Sequence, residues 1–290
     1  MKKIFSLTLC LSFSAILFSQ KVSNKLKFEQ GQELQITMQV KSTISQQAMG
    51  QAIDFTMNAN GDHAYKVTNA TEDNSTLNHT IKRVTFSFDG MGQKRNFDSN
   101  EEKDLNGPFG KPVKELLEKK YDIIIDTSGK TLMALPEKIE LSSGDPRMAI
   151  IMNMMKDVFT IAQPPKKGEA SLFKIFPDSA TGKGQPWTVS RNDENGKYDA
   201  AYSISDINDT TIVVDFATSS STVTKAEIMG NETTTTMNNK STGKIILDRA
   251  TGVLIEKTEV TDSNGNTETS FGTLPVTAKT TTTITVKKAP

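Results

Sequence analysis

The chain has 290 residues, with 34 lysines and arginines against 34 aspartates and glutamates, so no charge excess draws it toward nucleic acid. Its one cysteine, Cys10, lies inside an N-terminal targeting stretch, which excludes disulfides, thiolate metal sites and cysteine nucleophiles from the body of the protein. Only two histidines are present, which makes acid–base and metal chemistry poorly supplied.

The chain opens MKKIFSLTLCLSFSAILFSQ. Lys2 and Lys3 make a basic start, Ile4 to Phe18 is apolar, and polar sequence follows from Lys21. This is the order of a secretory signal peptide. The apolar run is shorter than the roughly 20 residues that cross a bilayer as a helix. We expect an exported protein, periplasmic or extracellular, with residues 1–20 as its signal. No later apolar run approaches spanning length, so the remaining chain is not expected to span a membrane.

Strands come next. In GQELQITMQVKSTI, Leu34, Ile36, Met38 and Val40 alternate with polar residues, which marks a strand with one buried and one wet face. Ile53, Phe55, Met57 and Ala59 repeat the alternation, a turn is expected at Gly61-Asp62, and AYKVTNA resumes beyond it. Asp89-Gly90 is the hairpin signal of the next pair of strands. A break rich in glycine and proline leads to a short helix with Val113, Leu116 and Leu117 inside. Then YDIIIDTSGKTLMALP reads as a hairpin turning at Asp126 to Gly129.

The strongest helical pattern is DPRMAIIMNMMKDVFTIAQPP. Asp145 caps it, Pro146 takes the first helical position, and Pro164 and Pro165 end it. Met148, Ile151, Met152, Met155, Val158, Phe159 and Ala162 fall on one stripe. Core packing explains such a stripe, and so does an adaptable apolar ligand wall; a soft-metal site built from thioethers is the third reading.

Strands resume with GQPWTVSR, which holds the sole tryptophan, Trp187. Tyr198, Ala200, Tyr202 and Ile204 alternate after it. A second hairpin, GKIILDRATGVLIEKTEV, turns between Asp248 and Gly252 and mirrors the first. Val276, Ala278, Ile284 and Val286 share a face of the last strand. Threonine runs suit strands through their branched Cβ.

The doubled hairpin implies a duplication. The expected fold is mainly β: two related antiparallel β-rich halves, a bent sheet or half-barrel, with the amphipathic helix packed between or against them. The boundaries are 21–136 for the first half, 137–170 for the connecting segment and 171–290 for the second. Turn chemistry explains Asp126 and Asp248 without a catalytic carboxylate pair. His63 lies beside the expected turn and His79 in a strand; both read as ordinary surface or half-buried residues, and no ligand-spacing motif surrounds either. Neither H-E-x-x-H, G-x-S-x-G nor a phosphate loop occurs, and Ser241-Thr242-Gly243-Lys244 lacks the companions of a serine–lysine site.

The signal, the YDIIIDTSGKTLMALP hairpin, the central helix, FPDSATGKGQPWTV and GKIILDRATGVLIE together resemble an uncharacterised family of exported bacterial proteins, which brings no established activity. More distantly, the layout is similar to bacterial lipoprotein-carrier and lipid-binding envelope proteins. That resemblance implies a bent antiparallel sheet wrapped around helices and sheltering an acyl chain. The functional expectation is a non-enzymatic envelope protein that binds a lipid or another hydrophobic client, with no cofactor and no metal. Its ligand residues would be Met148, Ile151, Met152, Met155, Phe159 and Trp187. A structural or interaction protein of the envelope or cell surface is the alternative. The oligomeric state is left open.

Overall fold

The computed structural model describes residues 21–48, 51–90, 92–138, 158, 161–179, 181–193, 196–228, 231–270 and 272–289. The expected signal at residues 1–20 and most of the expected Met-rich helix lie outside them.

The described chain is mainly strand. In order it forms β1 (Lys21–Val22), β2 (Glu33–Ala48), β3 (Gln51–Ala70), β4 (Asn74–Gly90), β5 (Gln93–Asp98), α1 (Glu102–Leu105), α2 (Gly110–Glu118), β6 (Lys120–Asp126) and β7 (Thr131–Leu135). Then come β8 (Thr181–Gly182), β9 (Pro186–Asp193), β10 (Gly196–Ile207), β11 (Thr211–Ile228), β12 (Asn231–Asp248), β13 (Leu254–Thr269) and β14 (Gly272–Lys288). Twelve of these strands make one antiparallel sheet in the order β7-β6-β4-β3-β2-β14-β13-β12-β11-β10-β9, with β5 also on β4; β1 pairs with β8 separately. The sheet is open, with β7 at one edge and β9 at the other.

The two β-rich stretches of sequence therefore form the two sides of a single sheet. They meet where the first long strand pairs with the last: Leu34–Gln46 of β2 lies opposite Val276–Lys288 of β14. The alternation read from the sequence gives the sheet its inner face. Leu34, Ile36, Met38 and Val40 are buried there, beside Tyr65 and Val67 of β3, Leu77 of β4, and Ile123 and Ile125 of β6. Across the seam the same core continues through Ile284, Ile245, Leu247, Ile212, Val214 and Ile204. Each fully buried aliphatic side chain contributes about 1.5–3 kcal/mol.

Two expected turns move. The chain does not reverse at Gly61-Asp62: β3 runs straight through, and Gly61 faces Val84 of β4. Glycine stands here for lack of room, because a Cβ would come within 2.7 Å of His63 Nε2 and 2.9 Å of Val158. Likewise Asp89 and Gly90 are the last rungs of β4, paired with Lys94 and Gln93, and the hairpin closes one step beyond, where Gly92 takes a positive φ of 70°. Helix α2 forms where expected, with Val113 and Leu116 buried and Leu117 half-buried against the core.

The two similar hairpins stand apart in the sheet, β6–β7 at its edge and β12–β13 inside it. Asp126 Oδ1 accepts from the amides of Ser128 and Lys130, and Asp248 Oδ1 from the amide and hydroxyl of Thr251. Partial burial raises the Asp126 pKa, but the hydrogen bonds from Ser128 and Lys130 outweigh it and hold it below the usual range. One N-terminal segment fastens both turns. The Leu26 amide donates to Thr127 O at 2.6 Å and the next amide, Lys27, to Thr251 O at 2.9 Å. The Leu26 side chain is wedged between the turn glycines: a Cβ on Gly129 would meet Leu26 Cδ1 at 3.0 Å, and one on Gly252 would meet Cδ2 at 3.6 Å. Beside it Phe28 packs edge-on against Phe173, with ring centroids 5.3 Å apart.

We expect Asp126→Ala and Asp248→Ala each to lower unfolding stability by about 1–2 kcal/mol through lost charge-assisted hydrogen bonds. Leu26→Ala should cost about 2 kcal/mol, the low end for a leucine that is only half-buried. Urea denaturation measures all three. An unchanged midpoint for Leu26→Ala would contradict the strap.

Candidate functional site

The inner face changes character along the strands, and three zones follow one another. The first lies around His63 and His79, close to Val158. His63 and His79 are 2% and 0% exposed, so the expectation of surface or half-buried residues is corrected. His63 Nδ1 and His79 Nε2 are hydrogen-bonded at 3.0 Å. His79 stacks on Tyr121 at 4.3 Å, and the Tyr65 ring packs against His79 at 4.7 Å. The Tyr121 hydroxyl donates to the carbonyl of Ile161 at 2.7 Å, so the proton of the 2.7 Å Tyr65–Tyr121 bond comes from Tyr65. This network ties Ile161 to the sheet, and Val158, Ile161 and Ala162 are all buried.

The histidine pair is incompletely satisfied. Whichever nitrogen carries the shared proton, one ring N–H and one ring lone pair remain, and neither His63 Nε2 nor His79 Nδ1 has a hydrogen-bond partner among the described residues. Burial lowers the His63 pKa to about 4. Burial and then the charge of His63 lower that of His79 to about 3. Burial likewise raises the hydroxyls of Tyr65 and Tyr121. The pair is thus held neutral and gives no base poised near neutral pH. Among the described residues no group of three or more histidine, aspartate or glutamate side chains is placed to hold a metal ion.

The second zone is an ion pair in the middle of the face. Lys257 and Glu259, two residues apart on β13, meet at 2.8 Å with side chains 30% and 21% exposed. The Lys257 ammonium also lies 4.9 Å from the centre of the Phe216 ring. Phe216 lies flat over Gly243, where a Cβ would strike the ring at 2.4 Å. Ser241 and Lys244 sit on opposite faces of β12, buried and exposed respectively, so they form no serine–lysine pair.

The third zone lies toward the ends of the long hairpins. Ile44, Ile53, Phe55, Phe88, Leu274, Val276 and Ala278 are half-buried on the inner face of β2, β3, β4 and β14 and stand outside the contiguous core. Phe55 and Phe88 touch across the strands with ring centroids 6.1 Å apart. Beside them, across β13, β12 and β11, the inner face becomes hydroxyl and amide. Ser241 bonds Thr261 at 2.9 Å and Asn239 donates to Ser220 at 3.0 Å; at the seam itself Ser42 of β2 bonds Thr280 of β14 at 2.8 Å.

The opposite face is charged. Asp199, Ser219, Lys240, Asp262 and Lys279 follow one another in register across β10 to β14. A groove of about 480 Å³ lined by Lys197, Asp199, Lys240 and Asp262 runs there.

Of the six expected ligand residues, Met148, Ile151, Met152, Met155 and Phe159 lie outside the described residues. Trp187 packs near the β9 edge, stacked on Tyr202 at 5.4 Å and beside Phe176 at 6.1 Å. The histidine pair was missed at the sequence level although its signal was present. The inner-face period of β3 runs unbroken from Ile53 through Phe55, Met57, Ala59 and Gly61 to His63 and Tyr65, and reading Gly61 as a turn broke it.

An open antiparallel sheet with one charged face and one graded from apolar to hydroxylated defines the class of molecule. The chain belongs to a family of unknown function, DUF6263, which it matches over residues 72–254. No curated protein matches it. Among solved structures it is similar to a lipovitellin structure concerned with lipid–protein interactions, at 10% identity and a TM-score of 0.48. That alignment covers 91% of this chain and 26% of the lipovitellin chain, so the protein spans about a quarter of the other's length. An outer membrane channel from Pseudomonas putida F1 aligns at 8% identity and a TM-score of 0.22, over 91% of this chain and 98% of the channel. No helix among the described residues is long and apolar enough to cross a membrane.

The histidines make stability depend on pH. Their folded pKa values, about 4 and about 3, lie below the unfolded value of 6.5, so the unfolded chain binds more protons between these limits. Stability contributed by the neutral pair is full above pH 6.5 and is lost as pH falls toward 4. The slope should approach about 1.4 kcal/mol per pH unit for each histidine. Because the chain has only two histidines, the His63→Leu/His79→Phe double variant should flatten urea midpoints between pH 7.5 and 5. An equal slope in that variant would show the dependence to arise elsewhere.

Proposed function

We propose that this protein is a non-enzymatic, exported envelope protein that binds a hydrophobic ligand on the inner face of its sheet. One observation carries the reading: the row of half-buried apolar side chains centred on Phe55, Phe88, Ile44 and Val276, which continues the inner face beyond the packed core. A soluble sheet keeps contiguous apolar surface of this kind where something binds it. The Met-rich stripe of Met148, Ile151, Met152, Met155 and Phe159 is the second wall in this reading. Its support is periodicity, together with burial of Val158 and Ala162 from the same stripe. The reading also keeps the two β-rich halves as a duplication with that helix between them, and places Trp187 at the far end of the inner face. Export rests on the signal-like order of residues 1–20.

A second reading, an interaction protein of the envelope, takes its support from the charged groove on the opposite face. The two differ in which face matters. Displacement of an environment-sensitive apolar dye should be saturable in the native protein and lost in Phe55→Asp. A variant of the opposite face, Lys240→Glu, should bind as the wild type does. Dye binding that follows Lys240→Glu and ignores Phe55→Asp would reverse the assignment.

A further inference from the structure

The inner face also specifies the polar end of what it binds. On β2, β3, β11, β12, β13 and on β14 as far as Val286, the only charged residues whose register turns them inward are Lys257 and Glu259. These neutralise one another at 2.8 Å. All other lysines, aspartates and glutamates of those spans alternate to the opposite face, as Lys240, Asp262, Lys279 and Asp54 do. The inner positions that are not apolar are neutral hydrogen-bonding groups instead. Thr218 and Ser220 on β11, Asn239 and Ser241 on β12, and Thr261 and Ser263 on β13 form one continuous surface, half-buried for the most part.

We infer, resting on the inner-face reading above, that the ligand is an amphiphile with an uncharged, hydroxyl-rich head group, its apolar part on Ile44, Phe55, Phe88 and Val276. The dimensions agree. The apolar part of the face spans four strands, β4 to β14, or about 14 Å at the usual interstrand spacing of about 4.8 Å, and the polar part spans the next three. The cross-strand bonds Ser241–Thr261 and Asn239–Ser220 leave each hydroxyl with further donor or acceptor capacity. A head group of several hydroxyls can use that capacity. A phosphate, carboxylate or ammonium would arrive half-desolvated on the hydroxylated strands β11 to β13, whose one inward cation and one inward anion already satisfy each other; Arg191, inward on β9 two strands away, lies over the Tyr198 ring.

The test uses probes of one chain length and three head groups, all below micelle-forming concentration: dodecyl maltoside, dodecanoate and dodecyltrimethylammonium. Each is titrated calorimetrically into the full chain. The maltoside should bind at least about tenfold more tightly than either charged probe. Asn239→Leu combined with Ser220→Val should weaken the maltoside about tenfold and leave the charged probes unchanged, while Phe55→Asp should abolish all three. Equal affinity for the three head groups, or stronger binding of a charged one, would overturn the uncharged head group while leaving a hydrophobic site in place. Binding of none of them, with no displacement of an apolar dye, would remove the inner-face site itself. A protein segment in place of lipid, recovered by mass spectrometry from the denatured preparation, would overturn the amphiphile.

Discussion

The pairing of β2 with β14 is the constraint on which the rest of the molecule depends. It joins segments at opposite ends of the chain, Leu34–Gln46 and Val276–Lys288, so the centre of the sheet is complete only when its last strand is in place. Closing so long a loop costs chain entropy that the seam's own ladder and side chains must offset. Ile36, Met38 and Val40 on one strand and Ile284 and Val286 on the other give the seam an apolar inner stretch, and the bonded Ser42–Thr280 pair continues it. The segment just before β2 fastens the same join at its end. By binding Thr127 and Thr251 through consecutive amides, Leu26 and Lys27 fix the turn of one side against the turn of the other. One segment thus holds a turn on each side of the seam.

The seam also sets where the apolar and hydroxylated parts of the inner face meet. Phe55 and Phe88 belong to the side of the sheet made first, and Asn239, Ser241 and Ser263 to the side made last. Without the β2–β14 ladder they would line two separate half-sheets. With it they form one surface, and a ligand crossing the seam would stabilise the join by binding only the closed form.

Much of this was legible in the sequence because alternation in a half-buried strand is a local property. Leu34 to Val40, Tyr198 to Ile204 and Val276 to Val286 announce their faces without reference to anything distant. Helix α2 and both Asp-to-Gly turns were legible for the same reason, since their chemistry lies within a few residues. Strand order was not legible. Nothing in the period of β2 says that its neighbour is β14, because that choice depends on where the remaining strands have already paired. Gly61 shows the other limit. A glycine beside an aspartate has the local signature of a turn, and only the approach of His63 and Val158 explains it as a space-saving residue inside a strand. The burial of His63 was hidden by the same misplaced turn. His79 is drawn in with it, as the partner that accepts or supplies the one shared proton.

Threonine-rich strands invite a purely structural account, and for part of the molecule it suffices. The run Thr280 to Thr283 places hydroxyls on both faces of β14 alternately, which is what backbone preference alone would give. Propensity cannot, however, sort residues between faces. Lysine, serine, asparagine and aspartate are all tolerated on wet strand surfaces, and a sheet exposed equally on both sides would scatter them. Here the charges of β11 to β13, and of β14 as far as Val286, go to one face, with Ser219, Ser221, Asn238 and Asn264 among them, while the other face keeps only apolar and neutral polar residues apart from a single self-neutralised pair. A buried hydroxyl can satisfy itself across the strands, as Ser42 does with Thr280, at far lower desolvation cost than an ammonium or carboxylate. Sorting of this kind is what a face needs if it is to lose its water to something apolar and uncharged, and an interior meant only to be filled would have been apolar throughout.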